Sequence, residues 1–236
     1  MQQLCLFKGQ TTVSISRGRK KRKQNLGSAH PKSPQWDLWV QESEAEQEMV
    51  LLFLDIRDFT PLAERQEATQ VVHLVGKLFS AFQNIIRIHR GRIIETMGDG
   101  FYAAFGINED LSSAAQSAVN AGSAILKILD RLNKESFETQ LNRRIEIGIG
   151  IHAGKVATGN LNLADKNHFI VMGYAVNIAA RIQAMTKELN NNLVVSSAVL
   201  EHIPTRASRS PRVTVNLKGV TDPLDVHLLG CPYFIQ

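Results

Sequence analysis

The chain has 236 residues, 44% of them hydrophobic and 21% charged, with a formal net charge of +5; this suffices for one sizeable core with an appendage and excludes a wholly unfolded polypeptide. Two cysteines near opposite ends, Cys5 and Cys231, exclude a disulfide-dense secreted scaffold and carry no metal or redox spacing. The longest apolar stretch, Met49–Leu54, is far short of the roughly 20 residues that cross a bilayer, and Met1–Lys8 lacks a signal-peptide core, so a soluble cytoplasmic protein with no transmembrane segment is expected.

Residues 1–45 read as tail and linker, and 46–236 as one domain. Much of the positive charge lies in Arg17–Lys23, RGRKKRK, within a Ser/Gln/Gly-rich stretch without apolar periodicity. No aromatic side chains interleave with these charges, so a solvated leader is expected ahead of a nucleic-acid or acidic-lipid contact. The acidic run Glu42–Glu48 is read as the start of a helix or a connector. Met49–Ile56, MVLLFLDI, is a continuous apolar run of strand length, suited to a buried central strand, and Asp55 stands near its end. Thr60-Pro61 is a helix entrance, with Thr as N-cap and Pro in the first turn. From Thr69 to His89, Val71, Val75, Leu78, Phe82, Ile85 and Ile86 recur at helical spacing until Gly91.

Arg92–Gly106, RIIETMGDGFYAAFG, is two strand-like runs pinched at Gly98-Asp99-Gly100, which predicts a hairpin with a carboxylate at its tip. Asn108–Ser113 offers capping residues for a second amphipathic helix carrying Ala114, Ala118, Ile125 and Leu132. Arg144–His152, RIEIGIGIH, reads as a strand closely approached by backbone. The order strand, helix, strand, strand, helix, strand predicts an α+β, ferredoxin-like (βαββαβ) palm-type sheet. Its third strand lies between the first and second, so Asp55 and Asp99 face each other on adjacent strands. Neighbouring carboxylates repel unless a cation lies between them, which points to an oxygen-liganded Mg²⁺ or Mn²⁺. A C-terminal extension follows: a turn and short strands over Ala153–Leu163, a strand at Phe169–Met172, a helix over Tyr174–Lys187 that places Asn177 and Arg181 on one face, a strand at Leu193–Ser197, and a hairpin of Val213–Leu217 with Leu224–Leu229.

Three segments, FLDIRDFT (Phe53–Thr60), ETMGDGFYAAF (Glu95–Phe105) and GYAVNIAAR (Gly173–Arg181), supported by GIHAG (Gly150–Gly154) and LKG (Leu217–Gly219), resemble in order and spacing the catalytic domain of class III nucleotide cyclases, the adenylate and guanylate cyclases. The resemblance implies a homodimer, or a pseudo-symmetric pair of domains, with active sites at the interface and conversion of a nucleoside triphosphate to a 3′,5′-cyclic monophosphate and pyrophosphate. It implies that Asp55, Asp99 and the Ile56 carbonyl hold two divalent ions, and that the Arg57–Thr60 turn, including Phe59 and Thr60, binds phosphate through its N–H groups. It likewise implies that Asn177 positions the ribose, Arg181 stabilises charge on the α-phosphate and Lys218 grips the triphosphate. Glu95 matches the guanylate-cyclase residue of the base-reading pair and favours GTP over ATP, since a carboxylate accepts from guanine N1–H and the 2-amino group. Its partner position holds apolar Ile170. Gly148 stands where some relatives carry a phosphate-binding arginine; either Arg143 or Arg144 substitutes for it or the contact is absent. The alternatives are a non-catalytic nucleotide-binding or dimerisation domain, and a palm-type polymerase or dinucleotide cyclase.

Overall fold

The computed structural model describes residues 40–163, 166–203 and 210–234. The basic run Arg17–Lys23 and Cys5 lie outside them. The elements run β1 (Val40–Ile56), α1 (Phe59–Glu64), α2 (Ala68–Ile88), β2 (Arg92–Met97), β3 (Gly100–Phe105), α3 (Leu111–Leu132), α4 (Glu138–Leu141), β4 (Ile147–Leu163), β5 (Lys166–Met172), α5 (Tyr174–Glu188), β6 (Leu193–Ser196), α6 (Ser197–Leu200), β7 (Arg212–Val215) and β8 (Leu224–Leu228). They build one eight-stranded sheet in the order β2-β3-β1-β4-β6-β8-β7, with β5 paired to β4. The first four strands have the predicted split-βαβ arrangement, with β3 between β1 and β2. None of the described helices is long and apolar enough to cross a membrane.

Alternation along β1 sorts its side chains between the two faces of the sheet. Val50, Leu52, Leu54 and Ile56 join Leu78, Phe82 and Ile86 of α2 and Ala118, Val119 and Ile125 of α3 in the larger core. Met49, Leu51 and Phe53 face the other way, into a smaller cluster with Tyr102, Val171, Ala175 and Ala179. Each fully buried large aliphatic or aromatic side chain contributes about 1.5–3 kcal/mol by leaving water. The strand read as buried is therefore covered on both faces, as its unbroken apolar run required.

Several local expectations are corrected. The acidic run Glu42–Glu48 is neither helix nor connector but part of β1, paired with β4 after a register irregularity between Gln41 and Ala45. Ala153–Leu163 is not a turn with short strands; it continues β4 without interruption. Gly154 and Gly159 survive there because an extended partner strand, β1 at Met49 for the first and β5 at Ile170 for the second, fixes the backbone that glycine alone would leave loose. Thr60 is not the N-cap of the first helix. The chain turns earlier, at Asp58, which caps α1 in a left-handed conformation (φ 49°) without a side-chain hydrogen bond. Asp110 does cap α3 as its sequence suggests, accepting from Ser113 N–H at 2.9 Å. Close packing explains the alternating glycines of β4: a Cβ on Gly150 would lie 2.6 Å from Gln183 Cα on α5. Any larger residue there would push α5 off the sheet.

His152 on β4 is buried, with Nδ1 hydrogen-bonded to Ser196 Oγ at 2.9 Å. Burial lowers its pKa from 6.5 to about 4. The unfolded chain takes up that proton below about pH 6.5 while the folded chain does not. Stability is thus full above that pH and falls as the pH drops towards 4, by up to about 3 kcal/mol from this residue. Urea unfolding at pH 7.5 and pH 5 is expected to show a smaller acid loss for His152→Gln than for the wild type; an equal loss would assign the acid sensitivity elsewhere.

Candidate active site

The antiparallel register of β1 and β3 pairs Asp55 with Gly100, and Ile56 N–H donates to the Asp99 carbonyl at 3.4 Å. The turn between β2 and β3 therefore folds back onto the end of β1. Gly98 takes a positive φ of 62° to make it. Gly100 serves a different need, since a Cβ there would lie 2.6 Å from the Leu54 carbonyl oxygen and 2.9 Å from Asp55 Oδ1. The second glycine lets the two carboxylate-bearing segments touch.

The outcome is a crowded acid pair. The Asp55 and Asp99 carboxyl groups lie within hydrogen-bonding reach, and the Asp55 pKa rises to about 6, first through burial and then through the charge of Asp99, with Arg57 opposing. Two half-sheltered carboxylates held together by strand register, beside the backbone at Ile56, form an all-oxygen donor set suited to a hard divalent cation. Among the described residues no cluster of three or more His, Cys, Asp or Glu side chains offers a competing metal centre.

Arg57 extends from the same end of β1. Its guanidinium lies over Gly148, where a Cβ would stand 2.6 Å from Nη2, and it is held by Thr186 Oγ1 and by the Tyr233 hydroxyl at 3.1 Å. The space at Gly148, opposite Asp55, is thus filled by the guanidinium of the residue that follows β1. Arg144 does not substitute for a phosphate-binding arginine: it pairs with Asp130 and Glu138, each at 2.6 Å, and stacks on Phe234. The cause is local, because α3 and α4 present both acids to it. Arg57 N–H donates to the Glu146 carbonyl at 2.8 Å, which removes it from the predicted phosphate-binding turn and leaves Asp58, Phe59 and Thr60 as the candidates.

The remaining predicted residues gather on the α5 side of the sheet. Glu95, Ile170 and Asn177 line one cleft of about 820 Å³, together with Phe53, Tyr102 and Phe169. A bulge between Ile93 and Glu95 brings Glu95 opposite Tyr102. Without it Ile94 would take that place and the carboxylate would turn to the other face. Asn177 is exposed at the cleft. Arg181, one turn along α5, packs against the loop between β7 and β8, where a Cβ on Gly219 would stand 3.1 Å from its Nη1. That nitrogen is buried without a hydrogen-bond partner among the described residues. Lys218, next to Gly219, is exposed. Asp55, Asp99, Arg181 and Lys218 do not line the cleft. Sequence reasoning missed Tyr102 and gave Arg57 only a backbone role, although the one phenol of β3 and a cation two positions after Asp55 were both visible signals.

Residues 41–230 match the family described as the adenylate and guanylate cyclase catalytic domain. The chain belongs to that family. This cyclase domain is 26% identical over 181 residues to Adenylate cyclase 1 of Rhizobium meliloti, a match covering 77% of the chain and 27% of the relative. It is 28% identical over 182 residues to Adenylate cyclase of Anabaena cylindrica, covering 76% and 36%. The chain therefore spans well under half the length of these curated relatives. Among solved structures, the guanylyl cyclase Cya2 superposes with a TM-score of 0.70 at 28% identity, covering 79% of this chain and 93% of that one.

Proposed function

We propose that the domain converts a purine nucleoside triphosphate, GTP in preference to ATP, to its 3′,5′-cyclic monophosphate and pyrophosphate, at sites completed by a second copy of the chain. The observation that carries this reading is the crowded acid pair, Asp55 with Asp99, at the end of β1 in a cyclase-family fold. In the reaction O3′ bonds to the α-phosphorus, the bond from that phosphorus to the bridging oxygen breaks, the hydroxyl proton is lost and pyrophosphate leaves. Mg²⁺ or Mn²⁺, two ions per site, held by Asp55, Asp99 and the Ile56 carbonyl, would activate the hydroxyl and neutralise the phosphates.

The chain's own groups take the other tasks. N–H groups of the turn at Asp58, Phe59 and Thr60 face the phosphates. Among the described residues Arg181 Nη1 is buried without a hydrogen-bond partner, a costly arrangement that an α-phosphate oxygen relieves. Lys218 adds charge to the triphosphate, and Asn177 orients the ribose. The base edge meets Glu95, while Ile170 lends only apolar contact.

A second copy is needed because the cleft holding Glu95 and Asn177 does not include the acid pair of the same chain. Its mouth also exposes Met97 and Met172, 44% and 57% accessible, an apolar surface that a homodimer covers. Being a soluble cytoplasmic signalling domain fits this reading. The purified chain with Mn²⁺ is expected to release cyclic product and pyrophosphate from GTP faster than from ATP. Glu95→Lys is expected to reverse that order by at least about tenfold, because an ammonium donates to adenine N1 and repels guanine N1–H. No product from any of ATP, GTP, CTP and UTP would end the cyclase reading.

A further inference from the structure

Ile170 leaves half of the base-reading pair without a polar group, and the structure places another beside Glu95. Tyr102 lies on β3 directly across from Glu95 in register and lines the same cleft. Its ring stacks on Phe53, with centroids 4.8 Å apart and planes 6° from parallel, so its position is fixed from below. Its hydroxyl donates to the Val171 carbonyl at 3.2 Å, on the residue next to Ile170. A phenol has one proton, and here that proton is committed to β5. What the oxygen offers the cleft is a lone pair.

We infer that Tyr102 is a specificity-determining residue, its hydroxyl oxygen accepting a 2-amino proton of guanine beside the Glu95 carboxylate. The two acceptors together match the two neighbouring donors of the guanine edge, N1–H and the 2-amino group. Adenine offers an acceptor at N1 and no 2-amino group, so it leaves both oxygens unpaired and meets a repulsive lone pair. Burial and the nearby Glu95 charge push the phenol pKa up to about 12, which keeps the proton on the oxygen and the bond to Val171 in place at neutral pH. The bulge at Glu95, the stack on Phe53 and the anchor at Val171 act together to hold the pair of acceptors side by side.

This inference rests on the purine-nucleotide reading of the cleft, and its test separates the two. Tyr102→Phe keeps the ring and its stack while removing only the oxygen. The full chain and the variant are compared on GTP, ITP and ATP, where ITP is the guanine nucleotide without the 2-amino group. Expected is a rise of about tenfold in KM for GTP, as for one lost hydrogen bond, with kcat, and KM for ITP and ATP, changed less than about twofold. The wild-type preference for GTP over ITP then falls by about tenfold in the variant. The same ratios are read as Kd with non-hydrolysable triphosphate analogues, so a chain that binds without turnover still tests the role of Tyr102. An unchanged GTP-to-ITP ratio in Tyr102→Phe, or a parallel loss on all three nucleotides, overturns the inference and leaves the cyclase reading standing. Absence of product from every nucleotide, with the binding ratios as expected, overturns the cyclase reading and leaves the inference standing.

Discussion

Asp55→Asn is expected to lower cyclic-nucleotide formation by about 10³-fold or more in saturating Mn²⁺, while the metal-free protein unfolds at the same temperature as the wild type or a higher one. The substitution keeps the shape of the side chain and removes one of two like charges that β1 and the β2–β3 turn force together. In the metal-free protein it therefore relieves repulsion. In the working site it removes a ligand on which both phosphate neutralisation and hydroxyl activation depend. Asp99→Asn is expected to behave alike, and the double variant to be little worse than either single one, because the two carboxylates act as a unit. Product assays with thermal unfolding in chelator measure both halves. Activity above about a tenth of wild type in Asp55→Asn would remove the acid pair from the chemistry.

Mixing two dead variants is expected to restore activity. If each site draws its acid pair from one copy and Arg181 from the other, Asp55→Asn and Arg181→Ala homodimers are both inactive. A mixed dimer then has one site with every group intact and one lacking both. Random exchange makes about half of the dimers mixed, each with one working site of two, so an equimolar mixture recovers about a quarter of the wild-type rate. Arg181 suits the experiment because its guanidinium packs beside Gly219, away from the cleft that holds Glu95 and Asn177. A mixture no more active than its components, with subunit exchange shown by mass spectrometry of tagged chains, would confine each site to a single copy.

The division between what was legible in the chain and what was not follows the range of the interactions. The helical spacing from Val71 to Ile86, the apolar run of Met49–Ile56 and the turn at Gly98-Asp99-Gly100 are local patterns; the observed α2 and β2–β3 hairpin match them within a few residues, and β1 ends where its run ends, at Ile56. From their order alone the split-βαβ sheet followed, and with it the meeting of Asp55 and Asp99, because antiparallel pairing through a short hairpin leaves little freedom of register. The ordered motifs also carried the family resemblance. The limits of β1 and β4 were misread because their outer halves are polar or glycine-containing and become strands only by pairing with each other and with β5. The capping position of α1 was misread for a related reason: the left-handed Asp58 is set by where β1 must end against β4, which no local preference reports.

The candidate site shows the same boundary at the scale of single side chains. By itself the sequence determined which carboxylates, amide and guanidinium are present, and that Asn177 and Arg181 share a helix face. Only the tertiary structure decided that Glu95 turns into the cleft, since one extra residue in β2 reverses its side. It alone decided that Arg57 covers Gly148 under Tyr233, 176 positions away, and that Arg144 is spent on Asp130 and Glu138. The same holds for the Tyr102 hydroxyl, which reaches Val171 across 69 positions. Such contacts join segments remote along the chain, and their geometry is set by sheet register and packing rather than by the residues on either side.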